Sequence, residues 1–259
     1  MAVLFNRDRG GWDKQVYDLE HREIAGAKIH ETSSTQLFPI GSRTVTADGR
    51  VFRYAKDSGT GLAAGKLVGS DITAAEREDT LTVAADAGSN YITYTAAGTV
   101  TANEYQNGFM CIVSGTGQGE MCGIKEHDAI TAAATGNIYL KETLITGVDT
   151  TSDVILMRNM YASATLNPDV IRKTLGVPTV PVTASNYFWV QTYGPALVLA
   201  GDSLGNLATE RECFPATSTG EYVSTDGGVP GTERIGYHIF DSTDGVDTEY
   251  WPIFLTCDI

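Results

Sequence analysis

Ser203 has the surroundings that come closest to a catalytic motif, because Gly201-Asp202-Ser203-Leu204-Gly205 matches G-x-S-x-G. In that motif the serine is a nucleophile on a strained turn between a strand and a helix, and a histidine acts as its base. Ala196–Ala200 suits the strand, but Asn206–Thr209 is too short and turn-like to form the supporting helix. The pattern therefore favours a hairpin turn at Asp202-Ser203 over a catalytic site.

The same five residues also resemble the opening block of the GDSL esterases. That family places the block near the start of an α/β domain and an Asp-x-x-His motif near its end. Here Ile235, not an aspartate, stands three positions before the last histidine, His238. A hydrolase built on Ser203 is therefore the least favoured interpretation, and we predict no catalytic residues and no enzyme.

Gly115–Gly119 is a glycine-rich run of the kind that can surround a phosphate. Phosphate loops use the free amides and the dipole at the N-terminus of a helix. The residues that follow, Met121–Ile124, are typical of a strand instead. We predict a turn and no bound cofactor.

Four carboxylates lie within nine residues around Gly245, and the four histidines are scattered along the chain. A calcium loop needs oxygen ligands at alternate positions and a bidentate glutamate, and this spacing differs. We predict a solvated hairpin tip, with a weak cation site shared between subunits as the alternative. Each histidine is predicted to be exposed or hydrogen-bonded, and no metal site is predicted. The residues are Asp241, Asp244, Asp247 and Glu249, and His21, His30, His127 and His238.

The four cysteines, Cys111, Cys122, Cys213 and Cys257, contain no CxxC pair. Zinc sites and disulfide scaffolds need clustered or dense cysteines. We predict reduced thiols buried as small apolar groups, while pairing of Cys111 with Cys122 across a hairpin stays open.

Composition and charge narrow the class of protein. The 259 residues are 42% hydrophobic and only 19% charged, and these fractions indicate a folded chain and not a disordered one. The net charge is -14. Binding to nucleic acid is disfavoured because it depends on clustered Lys and Arg. No apolar run approaches the roughly 18 residues of a membrane span, and the N-terminus does not resemble a signal peptide. We therefore expect synthesis in the cytoplasm and no membrane partner.

From Leu37 onward the chain is rich in Gly, Thr, Val and Tyr, and turn signals recur about every 8–12 residues. Asp48-Gly49 between Thr44–Thr46 and Val51–Tyr54 predicts a hairpin with a type I′ turn. Gly108–Gly115 and Gly136–Leu140 are short apolar runs typical of strands. The predicted fold class is all-β, with small β-barrel or sandwich regions, one short helix and an extended N-terminal arm.

The short helix is predicted over Asn167–Gly176. Asn167 suits the N-cap, Pro168 the first helical position and Gly176 the C′ position, and Val177-Pro178 prevents continuation. A second helical turn is predicted within Ser70–Glu78.

These features divide the chain into four segments: an arm at 1–36, a first β region at 37–98, a middle β region at 99–176 that ends in the helix, and a C-terminal β-barrel region at 177–259. The arm is charged and contains isolated large apolar residues, which can anchor it on another surface. Its predicted partner-binding residues are Phe5, Trp12, Tyr17 and Leu19. Trp189 is predicted to lie in the core, and Ile253–Ile259 to form a strand in a sheet or interface.

Two stretches of the chain carry a resemblance to a known class of proteins. One runs from Phe38-Pro39-Ile40-Gly41-Ser42-Arg43 through Asp48–Ala55 to Leu62–Val68, and the other is Ala184–Ala196, with Tyr187-Phe188-Trp189-Val190-Gln191 at its centre. Together they resemble virion proteins of tailed bacteriophages, in particular capsid decoration (cement) proteins. The resemblance covers roughly residues 37–70 and 177–259.

The resemblance implies a structural protein on the exterior of the virion capsid. It would bind the major capsid protein and itself, as a homo-oligomer of two or three copies, and reinforce the shell. It transfers no catalytic residue. The alternative function is a phage tail-associated or carbohydrate-binding β module, which would expose aromatic side chains on one rigid face.

Overall fold

A computed structural model describes residues 27–71, 77–166, 172–201, 211–216, 220–224, 233–240 and 248–258. These residues form strands, turns and bridges, and within them there is no helix, so the predicted all-β class is confirmed. One sheet curls into a half-barrel, and the remaining strands form a second sheet. Most of the predicted arm lies outside the described residues.

The chain folds as two compact units, of which only the described parts are considered below. Unit 1 contains Met1–Phe38, Ser42–Ser70 and Ala164–Ile259, and unit 2 contains Pro39–Gly41 and Asp71–Ser163. The unit boundaries near residues 70 and 163 do not coincide with the segment boundaries placed at 98 and 176 from sequence. Unit 1 therefore combines two stretches of chain that composition alone had kept apart.

Ten strands of unit 1 belong to one sheet. Its order is β10-β3-β11-β12-β16-β15-β13-β14, and β2 joins β12 to β1. The strands are β1 (Arg43–Val45), β2 (Val51–Lys56), β3 (Val68–Ser70), β10 (Ala164–Leu166), β11 (Thr174–Pro178), β12 (Tyr187–Leu199), β13 (Glu212–Pro215), β14 (Tyr222–Val223), β15 (Gly236–His238) and β16 (Tyr250–Thr256).

β12 is the centre of unit 1 because it pairs with β2, β11 and β16. Its first half packs an aromatic cluster, in which the ring centroid of Trp189 lies 5.1 Å from that of Tyr54 and 5.3 Å from that of Phe38. Trp189 is buried, which confirms its predicted place in the core. Ile253 and Leu255 of β16 are also buried, so the C-terminal tail forms a strand of the sheet.

The predicted hairpin of β1 and β2 is confirmed, with Val45 opposite Val51. Its turn differs from the predicted type I′ form, which needs positive φ at two successive residues. Gly49 has φ +85°, whereas Asp48 is not among the residues with positive φ. The Thr46 amide donates to the Arg50 carbonyl at 2.9 Å, which closes a longer loop around Gly49.

Six strands form the sheet of unit 2, in the order β4-β9-β6-β7-β8-β5. They are β4 (Arg77–Thr80), β5 (Tyr91–Thr95), β6 (Phe109–Ser114), β7 (Met121–His127), β8 (Thr135–Leu140) and β9 (Asp153–Met157). The runs predicted as strands at Gly108–Gly115 and Gly136–Leu140 are confirmed as β6 and β8. The sheet packs on an apolar core that includes Ile92, Met110, Ile124, Ile138 and Leu156.

The predicted helix over Asn167–Gly176 is not confirmed. Residues 167–171 lie outside the described residues, and Thr174–Pro178 is β11. Gly176 does have a positive φ, of +140°, but it sits at a shift in register between β11 and β3 and not at a helix end. Position 176 requires glycine because the backbones of β11 and β12 approach closely there: a Cβ would lie 2.0 Å from the Gln191 carbonyl oxygen.

The helical turn predicted within Ser70–Glu78 is not confirmed either, because the described residues of this range lie in strands. Ser70 belongs to β3, and Arg77 and Glu78 belong to β4. Residues 72–76 lie outside the described residues.

Candidate interaction surfaces

Several residues singled out from the sequence lie outside the described chain. They are Phe5, Trp12, Tyr17 and Leu19 of the arm, Ser203 of the serine motif, His21, and Asp241, Asp244 and Asp247 of the acidic cluster. Glu249 is described and is exposed. The roles predicted for these residues stay predictions.

The turn predicted at Gly115–Gly119 is confirmed, because it joins β6 to β7. Gly115, Gly117 and Gly119 all have positive φ, and the Gly119 amide donates to the Ile112 carbonyl at 2.8 Å. A strand follows the glycines, so the run has no helix N-terminus to offer to a phosphate.

The described histidines occupy three different environments. Nδ1 of His30 lies 3.0 Å from the Thr179 hydroxyl at the surface of unit 1. His127 of unit 2 is buried, and its Nε2 accepts from the Tyr105 amide at 3.0 Å. His238 of unit 1 is buried with Nε2 unpartnered, so the prediction that it is exposed or hydrogen-bonded is wrong for this atom. Burial lowers the pKa of both His127 and His238, which keeps both rings neutral near pH 7.

All four cysteines are free thiols. Cys111 and Cys122 do not pair: Cys111 stands opposite Met121, and Cys122 stands opposite Met110 in the core. Adjacent positions on a strand point to opposite faces, so the two thiols lie on different sides of the sheet. Burial raises the pKa of Cys122 to about 11 and that of Cys213 and Cys257 to about 12, which makes these thiols poor nucleophiles.

Metal-binding clusters and membrane-spanning helices are both absent from the residues that the structure describes. No group of three or more His, Cys, Asp or Glu side chains there is arranged to hold a metal ion. Nor does that part of the chain contain a helix long and apolar enough to cross a membrane.

An aromatic row runs across three strands on the outward face of unit 1. It consists of Tyr193 on β12, Phe254 on β16 and Tyr237 on β15. The Tyr237 and Phe254 rings are stacked with centroids 5.1 Å apart, and Tyr193 meets Phe254 edge to face, also at 5.1 Å. Tyr237 is 43% exposed and Tyr193 is 36% exposed, so the row presents aromatic surface to the outside.

Unit 2 also has an outward apolar face, formed by alternate residues of β6, β7 and β9 and here called the unit 2 face. Met110 and Ile112 of β6 point into the core, so their neighbours point away from it. Cys111 is flanked by Met121 and Ile155, and Phe109 is flanked by Gly123 and Met157. Met121 is 58% exposed and Phe109 is 40% exposed.

A cleft of about 430 Å³ lies on unit 1, beside β12. Its apolar walls include Pro178 of β11, Leu197 of β12 and Tyr250 of β16, and its rim includes His30 and Arg50. A cleft of this size can accept several side chains or a small ligand.

Neither outward face was found from the sequence, because apolar residues stand at both odd and even positions of the strands concerned. In β16 the odd positions Trp251, Ile253 and Leu255 face the core, whereas Tyr250 and Phe254 face outward. Such strands are typical of sheets covered on both sides. The usable signal is that Tyr250 and Phe254 alternate with Ile253 and Leu255 along β16.

Comparisons with protein-family models, with curated proteins and with solved structures gave no significant match.

Proposed function

We propose that this protein is a structural virion protein that binds the outer surface of a tailed-phage capsid and reinforces contacts between major capsid protein subunits. The observation that carries the proposal is the presence of an outward apolar face on each of the two units. Contiguous apolar patches that a folded protein leaves exposed often mark surfaces that bind a partner or a ligand. Both faces are exposed in the part of the chain that the structure describes, so each can contact a neighbouring molecule.

Two faces suit reinforcement because a protein that holds neighbours together has to contact more than one of them. Each face is small, and a single copy would bind weakly through either one. Repetition on a symmetric shell multiplies such contacts through effective concentration. In this proposal Phe5, Trp12, Tyr17 and Leu19 of the arm add further contacts to the capsid or to a sister copy.

The chemistry of the faces supports protein partners. Aromatic rings that are already packed against each other, as in the aromatic row, lose little side-chain entropy on binding and are frequent hot spots. Met121 and Met157 on the unit 2 face are unbranched and can adapt to an irregular partner surface. The net charge of -14 suits a protein on the solvent side of the shell.

Co-sedimentation with empty heads of the encoding phage tests the proposal. Purified protein should pellet with the heads to saturation at a fixed ratio of copies to capsid subunits, and saturated heads should withstand higher temperatures. A variant that lacks residues 1–20 shows how much the arm contributes to binding, and we expect this variant to occupy fewer sites on the heads. Heads that bind no protein, or bind it without gaining heat resistance, would contradict the proposal.

A carbohydrate-binding β module is the second candidate function, and the aromatic row is the observation that favours it. Exposed, rigidly held rings are suitable platforms for the apolar faces of sugars. Retention on host-surface glycans that is lost in Tyr237→Ala, but kept in Met121→Lys, would support this candidate. Binding to heads that depends on both residues would support the virion function instead.

A further inference from the structure

The cleft beside β12 contains a buried amide group with a free acceptor. Gln191 lines the cleft and is 2% exposed. Its Nε2 donates to the Pro195 carbonyl at 2.7 Å and to the Tyr193 carbonyl at 3.3 Å. Because only the nitrogen of the amide can donate to a carbonyl, these two contacts fix the orientation of the group. Oε1 therefore points away from both carbonyls, and no group among the described residues donates to it.

This acceptor differs from the other unpartnered polar atoms of unit 1. Those of Tyr222 and His238 are fully enclosed by protein, whereas Oε1 of Gln191 is not one of the enclosed atoms of the described chain. Since Gln191 borders the cleft, a donor placed in the cleft can reach Oε1. An acceptor on so deeply buried a side chain gains free energy when a ligand donates to it.

Tyr250 of β16 forms the aromatic wall of the same cleft. Its ring packs on Gly65, where a Cβ would lie 2.5 Å from a ring carbon, and its hydroxyl donates to the Ala64 carbonyl at 3.4 Å. These contacts hold the ring in place, yet Tyr250 stays 47% exposed. Leu197 and Pro178 continue the apolar wall. A ring that is already held loses little side-chain entropy when a ligand stacks on its open side.

The rim of the cleft favours an uncharged ligand. Of the described residues that line the cleft, none is Asp, Glu or Lys, and Arg50 is the one Arg. Its Nε lies 2.8 Å from Asp48 Oδ2, so the charge of Arg50 is already balanced by a carboxylate. The net charge of -14 would in addition repel an anionic ligand.

The hydrogen-bonding groups favour a hydroxyl over a peptide group. The described donors at the cleft are engaged, because Nε2 of Gln191 serves two carbonyls, Arg50 binds Asp48, and the Thr179 hydroxyl donates to the Ile29 carbonyl at 3.4 Å. A peptide would bring carbonyls that find no donor there, which is costly. A sugar hydroxyl can donate to Oε1 while the remaining hydroxyls face water, and the C–H groups of a pyranose ring form an apolar face for Tyr250.

We propose that the cleft binds one pyranose residue of an uncharged saccharide, with its apolar face on the Tyr250 ring and a hydroxyl donating to Gln191 Oε1. The volume of about 430 Å³ lies within the range of small-molecule sites. This inference does not rest on binding to capsids. It also places saccharide recognition in the cleft and not on the aromatic row.

Titration of the full chain with short saccharides tests the inference. The uncharged probes are maltotriose, cellotriose and tri-N-acetylchitotriose, the anionic counterpart is trigalacturonate, and the peptide counterpart is an uncharged hexapeptide of alternating serine and leucine. Calorimetry measures the affinity, and the side-chain amide resonances of Gln191 report by NMR whether the ligand is in the cleft.

Four variants locate the binding site. Tyr250→Ala removes the aromatic wall and Tyr250→Phe keeps it. Leu197→Trp fills the cleft from a position that is 56% exposed, so it tests the site independently of any effect of Tyr250→Ala on folding. The matched control is Tyr237→Ala, which removes a ring of the aromatic row that is 43% exposed, close to the 47% of Tyr250.

At least one uncharged saccharide should bind with a Kd of about 1 mM or lower and shift the Gln191 amide resonances. Tyr250→Ala and Leu197→Trp should each weaken this binding at least about tenfold, whereas Tyr250→Phe and Tyr237→Ala should change it less than about twofold. Failure of all three uncharged saccharides to bind would overturn the inference, as would equal affinity for trigalacturonate. Tighter binding of the hexapeptide would assign the cleft to an extended peptide instead. Loss of binding in Tyr237→Ala but not in Tyr250→Ala would assign it to the aromatic row.

Discussion

Two buried histidines illustrate how the units differ. In unit 2, His127 accepts from the Tyr105 amide through Nε2 and donates through Nδ1 to the Asp128 carbonyl at 2.9 Å. In unit 1, Nε2 of His238 has no partner. Among the residues that the structure describes, four further buried side-chain atoms have no hydrogen-bond partner, and all five belong to unit 1: Asp57 Oδ1, Thr174 Oγ1, Tyr222 OH, His238 Nε2 and Thr256 Oγ1.

The difference follows the course of the chain. Within the described residues, unit 2 builds its sheet from one nearly continuous stretch, with hairpins such as β6–β7 and β7–β8 between sequence neighbours. Unit 1 pairs β2 with β12 and β3 with β11, strands separated by more than 100 positions. Such non-local pairings require loop closure before they contribute stability. Because each unpartnered buried polar atom also costs about 1–3 kcal/mol, we expect unit 1 to be the less stable unit.

The largest effect is expected from Gly176→Ala in unit 1. The new Cβ would lie 2.0 Å from a backbone oxygen of β12, and it would also require a positive φ. We expect a loss of at least about 3 kcal/mol in the free energy of unfolding, with loss of hydrogen-exchange protection in unit 1.

Two control variants sharpen that prediction. Gly49→Ala also has a positive φ but meets no atom within 4 Å, so it should cost only about 1–2 kcal/mol. Gly108→Ala places a Cβ 2.0 Å from the Met157 carbonyl oxygen and should affect unit 2 first. If Gly176→Ala and Gly108→Ala removed protection from the same amides, the two units would not be separate in stability.

The next effect concerns carboxylates that bind backbone amides. Oδ2 of the buried Asp57 accepts from the amides of Gly59, Gly61 and Ser185 at 2.8, 3.2 and 2.8 Å. In unit 2, the half-buried Glu120 accepts from two amides, those of Ile145 and Thr146. We expect Asp57→Ala to cost about 2–4 kcal/mol and Glu120→Ala about 1 kcal/mol in urea unfolding. Equal losses in the free energy of unfolding for the two variants would contradict the claim that burial makes the Asp57 hydrogen bonds the stronger contribution.

The two buried histidines are expected to differ in how much their replacement changes stability. His127→Phe would remove the acceptor of a buried amide and should cost about 1–3 kcal/mol at pH 7.5, whereas His238→Phe should be neutral or stabilising. Urea unfolding of each variant measures this. A loss in His238→Phe as large as that in His127→Phe would show that His238 Nε2 has a partner after all.

The pH dependence of the same proteins follows from burial. Burial lowers the pKa of both rings in the folded state, so below about 6.5 the unfolded chain binds more protons than the folded one. The stability due to neutral histidine is complete above that pH and is lost as the pH falls below it. The His238→Phe variant should therefore lose less free energy of unfolding between pH 7 and pH 5 than the parent protein. If the free energy of unfolding depended on pH in the same way in both proteins, this account would be contradicted.

Local sequence signals predicted the strands and turns of this fold well. Asp48-Gly49 gave a hairpin, and Gly108–Gly115 and Gly136–Leu140 gave strands, because each depends on neighbouring residues. The helix predicted over Asn167–Gly176 is a strand instead at Thr174–Gly176. The sequence alone does not distinguish a glycine that caps a helix from one that lies at a shift in strand register. Pairing of β2 with β12 could not be predicted, because no local pattern specifies the partner of a strand.

The candidate surfaces were harder to predict than the fold. Tyr193, Phe254 and Tyr237 come from three strands, and only the register of β12, β15 and β16 brings them into one row. The arm residues Phe5, Trp12, Tyr17 and Leu19 were recognised from composition, and their binding role stays a prediction.

Binding of surface variants to empty heads tests the central claim most directly. Tyr237→Ser with Met121→Lys alters both outward faces, while Leu37→Ser with Val83→Lys alters two residues that are 65% and 46% exposed and belong to neither face. Both double variants should unfold within about 0.5 kcal/mol of the parent protein, since all four side chains are at the surface. Adhesion through the faces predicts at least tenfold weaker co-sedimentation for the first variant and less than a twofold change for the second. Equal binding by the two variants would contradict the claim that these faces hold the protein on the shell.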